Sequence, residues 1–384
     1  MSEVISPGTL DLLVIQPTPF CNLDCDYCYL PFRQSKQRIS PQILEQIFRR
    51  AFESAALEDR FTVVWHAGEP LVLPIGFYRD AIELIARHNP GTVEVSHSFQ
   101  TNGTLITKEW CDFIREHGLR IGVSVDGPEF IHDRHRKTRS GEGTWKRVVR
   151  GIDLLRERRI PFHVISVLTA DSLDYPDELF AFYRDHGIDQ IAFNVEEIEG
   201  TNKTSSLLAD QIYERVTAFM SRFYDLVEDS GEPYLVREFQ SATSAILSGG
   251  SMEVPQGHQA TPLGIISVDC YGNFSTFSPE MLGLSSPDYG DFAFGNVMTD
   301  SFDSMLSNPK FAAVAHDIVA GVQRCRDTCE YFAYCGGGAP VNKYFENGSF
   351  DSTETMFCRL SKQAILNVVL EKLEAKVASS RLSA

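Results

Sequence analysis

Cys21-Asn22-Leu23-Asp24-Cys25-Asp26-Tyr27-Cys28 places three thiols on one short stretch with the spacing C-x3-C-x2-C. Thiolates on so tight a loop suit three irons of a 4Fe–4S cube, leaving the fourth iron open to a chelating substrate. Clustered cysteines have two other uses, a structural zinc site and packing as small hydrophobes. Structural zinc wants four protein ligands, and no fourth lies nearby in the sequence.

Working outward from this loop, residues 10–197 alternate short β-rich runs with amphipathic helical runs. The strand candidates are 10–16, 61–66, 93–101, 119–126, 161–168 and 190–196. Ser40-Pro41 opens one helix as N-cap and first-turn proline. Thr107 opens another, which ends near Gly118. Strand–helix–strand alternation implies parallel strands joined by right-handed crossovers. About six such units predict an α/β fold that is a partial (β/α)6 barrel rather than the closed eight-stranded form.

In such a barrel the chemistry gathers at the C-terminal strand ends. The unusual motifs all fall there: Cys21–Cys28, Ala67-Gly68-Glu69-Pro70, Gln100-Thr101-Asn102-Gly103, Ser124-Val125-Asp126-Gly127 and Asn194-Val195-Glu196-Glu197. The two-residue strand period puts Ser96, Ser98, Gln100 and Asn102 on one face, and Ser124 with Asp126 on another. These polar faces are expected to line one cavity. By the same count Glu196 faces the cavity and Glu197 the apolar side.

C-x3-C-x-aromatic-C, with Tyr27 as the aromatic, resembles the defining motif of the radical S-adenosylmethionine (SAM) superfamily. Its companion motifs follow in order. Ala67-Gly68-Glu69-Pro70 resembles the segment that holds the methionine amino group. Gln100-Thr101-Asn102 resembles the segment whose Asn contacts the ribose, and Ser124-Val125-Asp126 the segment whose Ser contacts polar parts of SAM. In the run His132-Asp133-Arg134-His135-Arg136, Arg136 is the candidate for the SAM carboxylate. The resemblance implies a six-unit partial barrel, in agreement with the strand count. Ala67 stands where the family usually has Gly, so this position is expected not to need a positive backbone angle.

Cys325, Cys329, Cys335 and Cys358 form a second group. They resemble the second auxiliary-cluster ligands of the SPASM extension found in peptide-modifying radical SAM enzymes. The first gap holds one extra residue. The first auxiliary cluster lacks its ligands: Ala339 occupies one position, and near a probable hairpin (265–268 and 273–277) only Cys270 remains. One auxiliary 4Fe–4S cluster is therefore expected, with a zinc ribbon as the competing use of four thiols. Cys111 and Cys270 are expected to be structural. The domains are expected to be 1–235, the barrel and its following helix, and 236–384, the auxiliary-cluster domain. The latter holds a Gly/Pro-rich break at 249–264 and a terminal amphipathic helix at about 360–379.

Of 384 residues, 43% are apolar, which excludes global disorder. The net charge of −17 argues against non-specific nucleic-acid binding. No apolar run is long enough to span a bilayer, and the first ten residues lack signal-peptide character. A cytoplasmic protein is expected.

Gln16-Pro17-Thr18-Pro19-Phe20-Cys21, Cys28-Tyr29-Leu30-Pro31 and Phe193-Asn194-Val195-Glu196-Glu197-Ile198-Glu199-Gly200 resemble the cyclophane-forming maturases of the glycine-rich-repeat group. That resemblance implies reductive cleavage of SAM to a 5′-deoxyadenosyl radical, then a bond between an aromatic ring and a β-carbon in a ribosomal precursor peptide. Asp126 and Glu196 are the base candidates. The expected partners are a Gly-rich precursor peptide, an electron donor, and a separate leader-binding protein if this chain's own surface does not hold the precursor. The first strand begins near Leu10, which leaves no room before it for a leader-binding domain. Two alternatives are an anaerobic sulfatase-maturing enzyme, which oxidises Cys or Ser to formylglycine, and a non-catalytic iron–sulfur protein.

Overall fold

The computed structural model describes residues 7–248 and 258–382. Residues 1–6, read above for a signal peptide, and 249–257 of the Gly/Pro-rich break lie outside that range. Six parallel strands form the sheet in sequence order: β1 (Leu12–Ile15), β2 (Arg60–Trp65), β3 (Glu94–Thr101), β4 (Arg120–Ser124), β5 (His163–Leu168) and β6 (Gln190–Val195). Each expected strand is present, with both ends within two residues of the expected ones. The crossovers carry α1 (Pro41–Glu53), α2 (Ile75–His88), α3 (Lys108–Glu116), α4 (Glu129–His135), α5 (Trp145–Glu157) and α6 (Pro176–Asp185).

Local chemistry sets the helix starts. Ser40 Oγ accepts from Ile43 N at 3.2 Å, and Thr107 Oγ1 from Trp110 N at 3.3 Å, satisfying amides that have no partner inside their helices. The outer strand face is apolar. Trp65 and Phe99 meet Tyr78 of α2 at ring-centroid distances of 5.1 and 4.8 Å in edge-to-face contacts. The inner face is polar, and Gln100 Nε2 donates to Ser124 Oγ at 2.9 Å across β3 and β4. A cavity of about 780 Å³ lined by Thr62, Val64, Ser98, His163 and Gln190 lies toward the N-terminal strand ends, away from the motifs.

The sheet continues past the six units. β7 (Leu235–Val236) pairs with β6, and β8 (Ile265–Val268) pairs parallel with β1. β8 turns back into β9 (Asn273–Thr276) as the expected hairpin. The boundary expected at 235/236 thus cuts a continuous sheet, because the C-terminal segment supplies the strand beside β1. Helix 364–382 follows a π-helical turn, Arg359–Gln363, and packs against helices Ile212–Ser230 and Arg237–Leu247. Among the described residues, no helix is long and apolar enough to cross a membrane.

Candidate active site

The loop after β1 is pinned from three sides. Cys21 N donates to Arg33 O (3.1 Å), Asp24 N to Lys137 O (2.8 Å) and Asp26 N to His135 O (3.2 Å). Arg139 Nη2 donates to Cys21 O (2.8 Å) and Arg33 Nη1 to Cys25 O (3.2 Å). Cys21 Sγ accepts from Leu23 N at 3.4 Å and from Asn102 Nδ2 at 3.8 Å. Burial, with Glu69 adding to it, pushes the Cys21 thiol up to about 12. Burial also takes Cys25 to about 12, against the pull of Arg136. Thiols so reluctant to ionise become ligands when a metal replaces the proton. Three neighbouring thiols, with N–H donors on the sulfur of Cys21, fit an iron–sulfur cluster.

Gly68 has φ +60°, and a Cβ there would lie 2.5 Å from Phe20 O and 2.7 Å from Thr18 O. The segment therefore packs its backbone directly on the cysteine loop, and Glu69 N donates to Phe20 O at 2.9 Å. Ala67 also sits at φ +67°, contrary to the expectation drawn from its side chain. The close backbone approach imposes the left-handed angle, and Ala bears a cost of roughly 1–2 kcal/mol. Glu69 is fully buried and accepts from Leu71 N (2.9 Å), Thr101 Oγ1 (2.6 Å) and Asn102 N (2.7 Å). Burial raises it to about 7 despite those bonds. Its side chain is a strut between the ends of β2 and β3. Asn102 is tied to the cysteine loop through Asn22 Oδ1 at 2.9 Å.

Asp126 and Arg136 depart from their expected roles. The Asp126 carboxylate takes both Arg136 hydrogen bonds, one from Val167 N at 3.0 Å and one from the Tyr27 hydroxyl. Burial opposes its charge, but Arg136 outweighs that and holds it below the usual carboxylate range. A carboxylate so fully engaged is a poor base, and the guanidinium's Nε and Nη2 are already committed to it. The pair instead fixes Tyr27, and with it the cysteine loop, against β4 and β5.

Glu196 is likewise engaged by a neighbour. β6 ends at Val195, so the two-residue period no longer holds beyond it. Glu196 turns aside and accepts from Ser206 N at 2.8 Å and from its hydroxyl, closing a local loop. Glu197 takes the inner position. It accepts from Asn342 Nδ2 at 2.7 Å, and burial, reinforced by Glu280 and Glu346, raises it to about 7. Glu199 is 5% exposed and is pushed well above the ordinary range by burial and then by Glu197, Glu280 and Glu346. Tyr29, next to Cys28, faces the same carboxyls and shares a 3.1 Å hydrogen bond with His66 Nε2. Burial lowers His66 to about 4, so its ring is neutral. Three glutamates within four residues, 196–199, were the available signal for this cluster. Nothing in the sequence linked them to Glu280 or Asn342.

A cavity of about 500 Å³ brings together Cys325, Cys329, Cys335 and Cys358. Gly336, Gly337 and Gly338 have φ of +66°, +102° and +78°, turning the chain back under the thiols. Cys358 Sγ accepts from Thr355 N at 3.4 Å, and Cys325 Sγ from Lys343 Nζ at 3.3 Å. Among the described residues, no three His, Cys, Asp or Glu are arranged to hold a single metal ion. Four thiols lining one cavity are a donor set that suits either a 4Fe–4S cluster or a zinc ion. Cys270 is buried in the hydrophobic core, as is Cys111.

A parallel six-unit sheet with three cysteines after its first strand is the radical SAM fold. The radical SAM superfamily profile matches residues 15–183, the stretch that carries the three cysteines and the Gly68, Asn102 and Asp126 motifs. An uncharacterized protein of Synechocystis sp. is 45% identical over 376 residues, 97% of this chain and 94% of that protein. The serine-type anaerobic sulfatase-maturating enzyme of Klebsiella aerogenes is 41% identical over 171 residues, 44% of this chain and 42% of that enzyme. Two solved structures share the fold. Native anSMEcpe with bound AdoMet and Cp18Cys peptide has a TM-score of 0.77 at 23% identity, over 96% of this chain and 99% of that one. Streptococcus suis SuiB bound to precursor peptide SuiA has a TM-score of 0.60 at 16% identity, over 92% and 76%.

Proposed function

We propose that this radical SAM enzyme matures a ribosomally made, Gly-rich precursor peptide in the cytoplasm by joining an aromatic ring to the β-carbon of a nearby residue. Cys21, Cys25 and Cys28 would hold the SAM-binding cluster, which when reduced supplies the electron that cleaves SAM to a hydrogen-abstracting radical. Gly68, Glu69, Gln100, Asn102 and Ser124 would shape the SAM pocket: Gly68 by backbone contact, Glu69 and Asn102 by fixing strand ends to the cysteine loop. Cys325, Cys329, Cys335 and Cys358 would hold one auxiliary cluster.

The carrying observation is Glu197. It stands just past β6, beside the Tyr29 that follows Cys28, and is held by Asn342 from the auxiliary segment. The crosslink removes two hydrogens from the peptide. One leaves as an atom from the β-carbon, the other from the ring as a proton plus an electron. A carboxyl near pH 7 is suited to take that proton. Cys325, Cys329, Cys335 and Cys358 would hold the cluster that could take up the electron. Peptide-bound structures that share the fold support a peptide substrate.

Oxidation of Cys or Ser to formylglycine is the second reading, favoured by the resemblance to the Klebsiella enzyme. The single buried thiol near the first-auxiliary position, Cys270, weighs against it. Tandem mass spectrometry separates the two. Anaerobically reconstituted protein, SAM and a reductant are incubated with the Gly-rich peptide encoded nearest its gene, and separately with a Cys- or Ser-containing sulfatase peptide. Loss of two hydrogens, with backbone fragments missing between an aromatic residue and its neighbour, supports the crosslink. Formylglycine in the sulfatase peptide, with the Gly-rich peptide untouched, overturns it.

A further inference from the structure

We propose that Lys343 is the built-in counter-cation of the auxiliary iron–sulfur cluster and raises that cluster's reduction potential. The inference rests on the one-auxiliary-cluster reading above. Lys343 is 3% exposed, on helix Pro340–Asn347 directly after the three-glycine turn. Among the described residues its ammonium makes one polar contact, the 3.3 Å hydrogen bond to Cys325 Sγ. A buried ammonium needs an anion beside it.

The neighbouring carboxylates are committed elsewhere. Glu346, one turn along the same helix, accepts from Met356 N and Phe357 N. Glu197 is held by Asn342, and Glu354, across the cavity, by Gln363 at 3.0 Å. A neutral thiol cannot compensate a buried cation. A cluster bound by four thiolates carries net negative charge, and one unit more when reduced.

A fixed cation therefore stabilises the reduced cluster more than the oxidised one. Its hydrogen bond falls on Cys325. The donors to Cys358 are neutral, Thr355 N at 3.4 Å and Gln363 Nε2 at 3.9 Å. Those on Cys21, Leu23 N and Asn102 Nδ2, are neutral too. Net charge and hydrogen bonds to sulfur are the protein's levers on cluster potential. Lys343 applies both to the auxiliary cluster, in the direction that favours taking up an electron. It is a positioning residue, since it touches a ligand and not the peptide.

The test is an EPR-monitored redox titration of the full-length reconstituted protein. Cys21→Ala/Cys25→Ala/Cys28→Ala isolates the auxiliary signal, and Cys335→Ala isolates the SAM-binding cluster. Lys343→Met should move the auxiliary midpoint to lower potential, Lys343→Arg should stay near wild type, and the SAM-cluster midpoint should not move. A second cluster that forms with an unchanged midpoint in Lys343→Met overturns this proposal alone. A wild-type protein that binds a single cluster overturns it together with the auxiliary-cluster reading. If Lys343→Met fails to load, Lys343→Gln takes its place, and an unshifted midpoint there overturns the proposal. Loss of the cluster in both neutral variants with retention in Lys343→Arg supports the counter-ion role, and loss in all three overturns it.

Discussion

The Arg136 guanidinium grips the Asp126 carboxylate through two hydrogen bonds, Nε to Oδ2 at 2.8 Å and Nη2 to Oδ1 at 2.9 Å. Both residues are buried, at 7% and 1% exposure. Tyr27 lies between them and the cysteine loop, with its hydroxyl on Asp126 and its ring 5.5 Å from the Arg136 guanidinium. The pair anchors the loop that carries the three thiols.

Breaking this pair strands a buried charge, at a cost of about 3–5 kcal/mol. Arg136→Met and Asp126→Ala should therefore lower the thermal midpoint markedly. Asp126→Asn, which keeps the shape and some hydrogen bonds, should cost less. If Arg136→Met instead leaves unfolding untouched and weakens only SAM binding measured by calorimetry, Arg136 is a SAM ligand and not a strut.

The two cysteine groups should separate cleanly. Cys28→Ala should abolish SAM cleavage while retaining the iron of the auxiliary site. Cys335→Ala should lose about half the iron, retain SAM cleavage, and stop product formation. Iron analysis and 5′-deoxyadenosine assays decide this. Undiminished iron in Cys335→Ala, or zinc at that site in place of iron, contradicts the assignment.

Glu197 sets a pH signature. As a base it works only when deprotonated, and burial raises it to about 7. Product formation should therefore rise with pH through that value and fall away below it. Glu197→Gln should slow crosslinking by roughly 10²-fold or more, removing this rise while SAM cleavage continues uncoupled. Glu196→Gln, at a residue engaged with Ser206, should stay within about twofold. The reverse ranking would return the role to Glu196.

At the Ala67-Gly68 turn, opposite substitutions should act oppositely. Ala67→Gly relieves a left-handed alanine and should stabilise by under about 1 kcal/mol, because the added chain freedom of Gly offsets part of the relief. Gly68→Ala drives a methyl into Phe20 O and Thr18 O and should displace the cysteine loop, with loss of SAM binding in calorimetry. Unaltered SAM affinity in Gly68→Ala would refute the close-packing argument.

Much of the fold was legible in the chain. Each of the six barrel strands is a short β-rich run between helical runs, and the strand period and the caps at Ser40 and Thr107 are local properties that survive without tertiary context. The β8–β9 hairpin was legible for the same reason, from its turn at Tyr271-Gly272. Its place in the sheet was not, because pairing with β1 joins residues some 250 apart and leaves no periodic trace. The strand period also misled at Glu196, since it holds only while the backbone stays extended, and β6 stops one residue earlier.

The sequence by itself pointed to the chemistry class, because three thiols at fixed short spacing and three companion motifs at the ends of β2, β3 and β4 are local patterns. The tertiary structure alone decided how those residues are used. Asp126 became a partner rather than a base because Arg136 and Tyr27 close on it. Glu197, and not Glu196, meets Asn342, 145 residues away. Lys343 acquired its bond to Cys325 from a fold that buries both. Burial and pairing shift charge and proton affinity by several kcal/mol, and both depend on neighbours that sequence separation hides.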